Sequence, residues 1–335
     1  MERLIKISQR KIKAVKTEFK RFLYTEIDWS QPLVLIKGHR GAGKTTLLLQ
    51  RVKDLKKNAI YLSLDDIYFE TYRLVELIDE LYTEGYRYFF LDEIHRYKNW
   101  SKELKNTYDK YPNIKIVTTL SSILKVSRGQ ADLSRRAVTY DFPGLSFREF
   151  LELGHQQKLP QINLSDITQH HYEISADYYD RTDIDRTFKE YLQHGYYPFF
   201  KEGIHLYGQK LQETTNLVLD IDIAPFEDLS YSTVRNMKKL LYIISQSVPF
   251  TPNITKIWER INVPRNSILK ILDLLAHARI ISLLKRETKG MSYLQKPEKI
   301  YLQNTNLAWL LSENKPDTGN LRETFFFSQM EVRHR

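Results

Sequence analysis

The residues Gly38-His39-Arg40-Gly41-Ala42-Gly43-Lys44-Thr45 fit the spacing G-x-x-x-x-G-K-[ST] without a mismatch. The chemistry such a string can do is to hold a polyphosphate. Glycines let backbone N–H groups turn inward where φ is positive or where the chain must approach the ligand closely. Lys44 then reaches the β- and γ-phosphates, and Thr45 offers its hydroxyl to Mg²⁺. The helix expected from about Lys44 turns the positive end of its dipole toward the same phosphates. The predicted nucleotide contacts are Gly38, Gly41, Ala42, Gly43, Lys44, Thr45 and Thr46, joined by Asp92 from a second motif.

That second motif is Arg87-Tyr88-Phe89-Phe90-Leu91-Asp92-Glu93, an apolar strand ending in two adjacent acids about fifty residues further on. Acid pairs at strand ends also occur in solvated turns. Behind an intact phosphate loop the pair reads as a Walker B motif, with Asp92 holding Mg²⁺ through its water shell and Glu93 polarising the attacking water. The predicted metal-binding groups are Thr45 and Asp92, and the predicted catalytic groups are Glu93, Lys44 and Arg136. Thr119, Ser121 and Ser122 lie at the carboxyl end of the strand Ile114 to Thr119, in the sensor position of such sheets. Arg128, Arg135 and Arg136 follow; an arginine there either reaches the γ-phosphate of a neighbouring subunit or is a plain surface charge. Asn314-Lys315-Pro316-Asp317 matches a guanine-reading pattern but comes too late in the chain for a further strand to close a base pocket, so it reads as a turn.

The elements that must position these residues form an α/β P-loop NTPase fold, with a parallel sheet of the additional-strand, catalytic-glutamate type, followed by a helical segment and a winged-helix domain. Short apolar runs at 32–36, 59–63, 87–91, 114–119 and 137–142 read as buried parallel strands. A helix is expected from about Tyr72 to Glu84, stopped by Gly85. The division is an amphipathic basic helix over 1–30, the ATPase core over 31–153, a linker or lid and helical segment over 154–230, the winged helix over 231–302, and the start of a further module over 303–335. From Gly154 to Asp183 the apolar periodicity dissolves, and His170-His171 reads as a surface pair. Ile184 to Gln193 is helical, and Gly195-Tyr196-Tyr197-Pro198 breaks it.

Three helices are expected next: one lined by Val234, Met237, Leu240, Leu241 and Ile244, one over 254–261 and one over 266–278. Strands at 280–285 and 299–302 follow, with a Lys289-Gly290 turn between them. That order suits a winged helix. Arg265, Asn266, Ser267 and Lys270 would face a DNA groove, with Lys285, Arg286 and Lys289 on the wing. A winged helix used only for packing or protein contact is the alternative.

The 335-residue chain has 42% hydrophobic residues, ample for packed cores, and no apolar run near the ~18 residues that cross a bilayer. The expectation is a cytoplasmic protein without a membrane span. It has no cysteine, which excludes disulfides, Cys-ligated zinc and thiol catalysis. The net charge of +10 is uneven: residues 1–24 hold eight Lys/Arg against two Glu, and residues 255–300 hold ten against four acids. Either these two segments meet a polyanion such as nucleic acid, or they are solvated basic faces.

Together these pieces resemble the prokaryotic AAA-superfamily ATPases that carry a C-terminal winged helix and then a restriction-nuclease-like module of unknown function. The resemblance rests on the phosphate loop, Phe90-Leu91-Asp92-Glu93-Ile94, Trp100, Leu104-Lys105, Tyr108-Asp109 and Pro143-Gly144-Leu145-Ser146-Phe147-Arg148-Glu149-Phe150. Gly195-Tyr196-Tyr197-Pro198, Lys299-Ile300-Tyr301 and Gly319-Asn320-Leu321-Arg322-Glu323-Thr324 extend it. It implies ATP rather than GTP as the nucleotide. Leu120-Ser121-Ser122 stands where the family usually has Gly-Ser-Ser. Leu133-Ser134-Arg135-Arg136 stands where it often has Leu-Ser-Gly-Arg, so Arg136 matches the arginine. Family members continue past Glu323 with an acid and a lysine-bearing strand, whereas this chain ends twelve residues later; no nuclease activity is expected, and a truncated form is. The expected function is an Mg²⁺-dependent ATPase coupled to a basic winged helix on DNA. A regulatory or scaffold protein with negligible hydrolysis is the alternative, with protein partners and a homo-oligomer left open.

Overall fold

The computed structural model describes residues 1–120, 133, 135–223, 229–246, 254–285, 296–312 and 315–330. Two compact units divide the chain, Met1–Pro143 and Gly144–Arg335.

The first unit is built on five parallel strands: β1 Leu33–Gly38, β2 Ala59–Ser63, β3 Tyr88–Asp92, β4 Lys115–Leu120 and β5 Val138–Phe142. Their order is β2-β3-β4-β1-β5, so β4 separates the strand leading into the phosphate loop from the strand ending at Asp92. Strands β1 to β4 are largely buried on both faces because helices cover both, whereas the edge strand β5 is half-exposed. Leu33, Leu35, Ile60, Leu62, Phe89, Leu91 and Ile116 pack on one side with Leu74, Leu77, Ile78 and Leu81 of α5 (Leu74–Thr83) and Leu104 of α6 (Trp100–Lys110). Val34, Ile36, Tyr61, Phe90 and Val117 pack on the other with Leu47, Leu48 and Val52 of α3 (Lys44–Leu55). Alternate residues thus point to opposite layers, as the pleat requires.

The N-terminal helix is shorter than its apolar spacing suggests. Helix α1 spans Glu2–Ala14, and Val15 is extended. Side chains of α3 take up the carbonyls beyond the break: Lys53 Nζ donates to Val15 O at 2.7 Å, and Gln50 Nε2 donates to Lys16 O and Phe19 O at 2.9 and 2.8 Å. These bonds satisfy the chain without helix, and a short α2 (Leu23–Glu26) follows.

The second unit is mainly helical. Helix α7 (Phe147–His155) starts in a capping box, with Ser146 accepting from Glu149 N while Glu149 accepts from Ser146 N. The stretch expected as a linker contains an 18-residue helical segment, α8 (Leu164–Arg181), which is kinked by non-helical backbone at His170 and buries no residue. An Asn163–Asp166 capping box starts it, so local hydrogen bonds mark this helix although it lacks the apolar stripe by which helices are read from sequence. His170 and His171 lie on it, exposed. Helices α9 (Ile184–His194) and α10 (Ile204–Leu217) follow.

Helices α11 (Tyr231–Ser245), α12 (Ile254–Ile261) and α13 (Arg265–His277) then precede an antiparallel pair, β6 (Ile281–Leu284) and β7 (Lys299–Leu302), in the expected order. Residues 303–330 supply α14 (Thr305–Leu311) and α15 (Thr318–Met330), which pack within the same unit. Asn306 of α14 is the polar tie: it donates to Tyr191 O and Leu192 O, and accepts from Tyr196 N and the Tyr207 hydroxyl. Among the described residues no helix is long and apolar enough to cross a membrane.

Candidate functional site

The phosphate loop leaves β1 at Gly38 and enters α3 at Lys44. Gly41 and Gly43 have φ of 79° and 98°, the left-handed conformation in which a side chain is strained. Gly38 answers a different demand: a Cβ there would fall on the Phe142 carbonyl oxygen of the neighbouring strand and 2.9 Å from its carbonyl carbon. Lys44 is buried and donates to Gly38 O at 2.9 Å and His39 O at 2.7 Å, so its ammonium lies against the loop.

Strand order brings the two motifs together. Asp92, 2% exposed at the end of β3, takes three hydroxyl donors. Thr45 Oγ1 and the Tyr61 hydroxyl reach Oδ2 at 2.6 and 2.7 Å, and Thr119 Oγ1 reaches Oδ1. Among the described residues no cation lies within ion-pair distance of this carboxylate. Burial, reinforced by Asp92, pushes the Tyr61 phenol far above its ordinary pKa, so it stays a donor.

Glu93 follows in the left-handed region at φ 52°, ψ 39°, a turn that redirects the chain at the strand's end. Its N–H donates to Thr119 Oγ1 at 3.0 Å, and its carboxylate lies 3.7 Å from Arg40 and 3.5 Å from the buried imidazole of His95. The side chains face an open cavity of about 870 Å³ whose lining includes Thr45, Tyr61, Asp92, Glu93, Arg40 and Lys11.

The predicted sensor Thr119 therefore spends its hydroxyl on Asp92 and on the Glu93 backbone. Ser121, Ser122, Arg128 and Ser134 lie outside the described residues. Arg136 forms a two-pronged pair with Asp109 at 2.9 and 3.1 Å and does not line the cavity. In the second unit Arg265, Asn266 and Lys270 are exposed on α13, and Lys285 lies 3.8 Å from Asp273; Arg286 and Lys289 lie outside the described residues.

Four contributors escaped the sequence. Tyr61 and His95 carry no motif beyond proximity to one, and Arg40 fills an unspecified position of the phosphate loop. Arg21 sits in the basic N-terminal segment, yet it is buried, donates to Ala42 O at 2.8 Å and Pro143 O at 2.9 Å, and stacks on Phe142. Lys20 pairs with Asp54, and Arg3 with Asp66. Part of the charge read as a polyanion contact is therefore spent within the nucleotide unit itself.

Residues 30–151 match the family described as the AAA domain. An uncharacterized protein of Methanocaldococcus jannaschii is 27% identical over 277 residues, covering 77% of this chain and 57% of that protein, so the chain spans little more than half of its relative's length. Among solved structures, the Walker-type ATPase of Pyrococcus abyssi aligns over 88% of this chain and 95% of its own at 14% identity, with a TM-score of 0.46. The ORC1 protein of Aeropyrum pernix, solved in complex with DNA, aligns over 93% and 91% at 14% identity, with a TM-score of 0.34. The family match encloses the phosphate loop, the Asp92-Glu93 pair and Thr119, so residues 30–151 of this chain are similar to an AAA domain.

Proposed function

We propose that the protein is an Mg²⁺-dependent ATPase that couples its nucleotide state to a basic winged-helix region on nucleic acid. The observation that carries the catalytic half is the Asp92 carboxylate, buried against the Thr45 hydroxyl with hydroxyls as its only side-chain partners among the described residues. Three hydroxyls leave lone pairs on the two carboxylate oxygens open to a hard cation. The hard oxygens of Thr45 and Asp92 suit Mg²⁺.

Gly41 and Gly43, in positive-φ conformations, and the start of α3 offer N–H groups to the phosphates, and Lys44 is the loop's own cation. Bound Mg²⁺ would neutralise charge on the β- and γ-oxygens. Glu93 accepts a proton from the attacking water at its carboxylate, while Thr119 fixes the Glu93 backbone and the second oxygen of Asp92. An intersubunit role for Arg136 would require it to leave Asp109.

For the nucleic-acid half, the support is three helices followed by a two-stranded antiparallel pair, with Arg265, Asn266 and Lys270 exposed in the first turns of α13. One observation favours a second reading, nucleotide binding with negligible turnover. Arg40 and His95 flank the Glu93 carboxylate at 3.7 and 3.5 Å and crowd the space an attacking water would take. ATP hydrolysis by the purified chain, with and without duplex DNA at two salt concentrations, tests both. Stimulation by DNA that fades with salt supports the coupled ATPase. Nucleotide binding without phosphate release supports the second reading, and hydrolysis indifferent to DNA removes the nucleic-acid half.

A further inference from the structure

We propose that Tyr61 positions Asp92 for the cation, and that Ser8 and Lys11 of α1 seat Tyr61, which makes the N-terminal helix a working part of the nucleotide site. This rests on the Mg²⁺-nucleotide reading given above.

The Asp92 carboxylate is held at both oxygens. Thr119 fixes Oδ1, while Thr45 and Tyr61 share Oδ2. Thr45 belongs to the phosphate loop and is itself a predicted ligand. Tyr61 belongs to neither the loop nor the ligand set, so its phenol is the support on Oδ2 that stays in place whatever the cation draws from Thr45. Outer groups of this kind fix the direction of a ligating carboxylate's lone pairs, and their loss commonly weakens metal binding by about 10–100-fold.

Tyr61 is in turn anchored from outside the sheet. Among the described residues strand β2 is an edge strand, so one row of its backbone groups has no partner strand there. The Tyr61 N–H donates to the buried Ser8 Oγ at 3.1 Å. Lys11 Nζ lies 5.0 Å from the Tyr61 ring centroid and lines the same cavity as Asp92 and Glu93. Arg3 pairs with Asp66 in the turn after β2, and Leu4 is buried beside Ile60, Leu62 and Leu64. Four residues of one helix thus reach β2 or its turn, and the path from α1 to the carboxylate is two contacts long.

The test is a Mg²⁺ titration of the full chain with a fluorescent ATP analogue, starting in EDTA. Tyr61→Phe removes the hydroxyl alone, and the pair Ser8→Ala with Lys11→Met loosens the seat without touching Asp92. Tyr61→Phe is expected to raise the Mg²⁺ midpoint about tenfold or more while leaving nucleotide affinity in EDTA unchanged; the double variant moves it the same way by less. A purely structural role would lower thermal stability and leave the midpoint where it was. An unchanged midpoint in Tyr61→Phe overturns the role of Tyr61. A shift there without one in the Ser8/Lys11 variant overturns the role of α1. Wild-type protein that binds no nucleotide with or without Mg²⁺ overturns the proposed function itself, a result distinguishable from either.

Discussion

Thr45 Oγ1 lies 2.6 Å from Asp92 Oδ2, although the two residues are 47 positions apart and the strands that lead to them, β1 and β3, are not neighbours. Strand β4 lies between β1 and β3, so the hydroxyl after the loop lysine and the carboxylate at the end of β3 meet above the carboxyl end of the intervening strand. A hydroxyl and a carboxylate brought together by such long-range pairing form a site only when the whole sheet is assembled.

Glu93→Gln keeps shape and hydrogen bonding while removing the proton acceptor. Turnover is expected to fall by about 10²–10⁴-fold with ATP binding retained. Single-turnover phosphate release beside equilibrium binding checks it, and undiminished turnover would remove Glu93 from its role.

Gly38→Ala places a methyl on the Phe142 carbonyl, where β1 and β5 pair directly. Backbone cannot yield as a flexible side chain would, so a loss of at least about 2–3 kcal/mol is expected for the first unit. Urea unfolding followed by a probe in residues 1–143 reads it.

Asn306→Leu removes one side chain that serves two carbonyls, one N–H and one hydroxyl in buried surroundings. With those partners stranded, the second unit is expected to lose on the order of 3 kcal/mol or more. Hydrogen exchange at the Tyr196 amide should accelerate with it, whereas unaltered exchange would mean that water replaces the asparagine.

His277 and Asp273 form a pair one turn apart on α13, with Lys285 3.8 Å from the same carboxylate. The hydrogen bond that His277 donates to the Asp273 carboxylate raises the His277 pKa above its ordinary 6.5, and the same bond lowers that of Asp273 below 3.8. A raised histidine stabilises the fold fully below its unfolded pKa and loses that contribution as pH climbs through the folded value. A depressed carboxylate contributes above its unfolded pKa and is lost as pH falls. The pair is therefore complete between about pH 4 and 6.5. Replacing His277 with Gln should flatten the decline of melting temperature just above pH 6.5, and an unaltered pH profile would count against the pair.

The N-terminal helix and the α8 helix show where sequence reading lost its grip. Apolar spacing through Leu23 suggests one long helix, but Gln50 and Lys53 of another helix capture the carbonyls of Val15, Lys16 and Phe19, and it ends early. In α8 the reverse holds, since a helix that buries nothing leaves no apolar period to read.

By itself the sequence determined the phosphate loop, the acid pair and the existence of most strands. These follow from local rules: glycine's access to positive φ, the apolar runs of a doubly covered sheet, and hard oxygens for a hard cation. Only the tertiary structure decided that β4 separates the two motifs, that Thr119 serves Asp92, that Arg136 rests on Asp109 and that Tyr61 and Arg21 brace the site. Those contacts join residues up to 122 positions apart. A lone tyrosine or arginine carries no spacing signal, because its role is set by which strands pair and by which helix covers the edge.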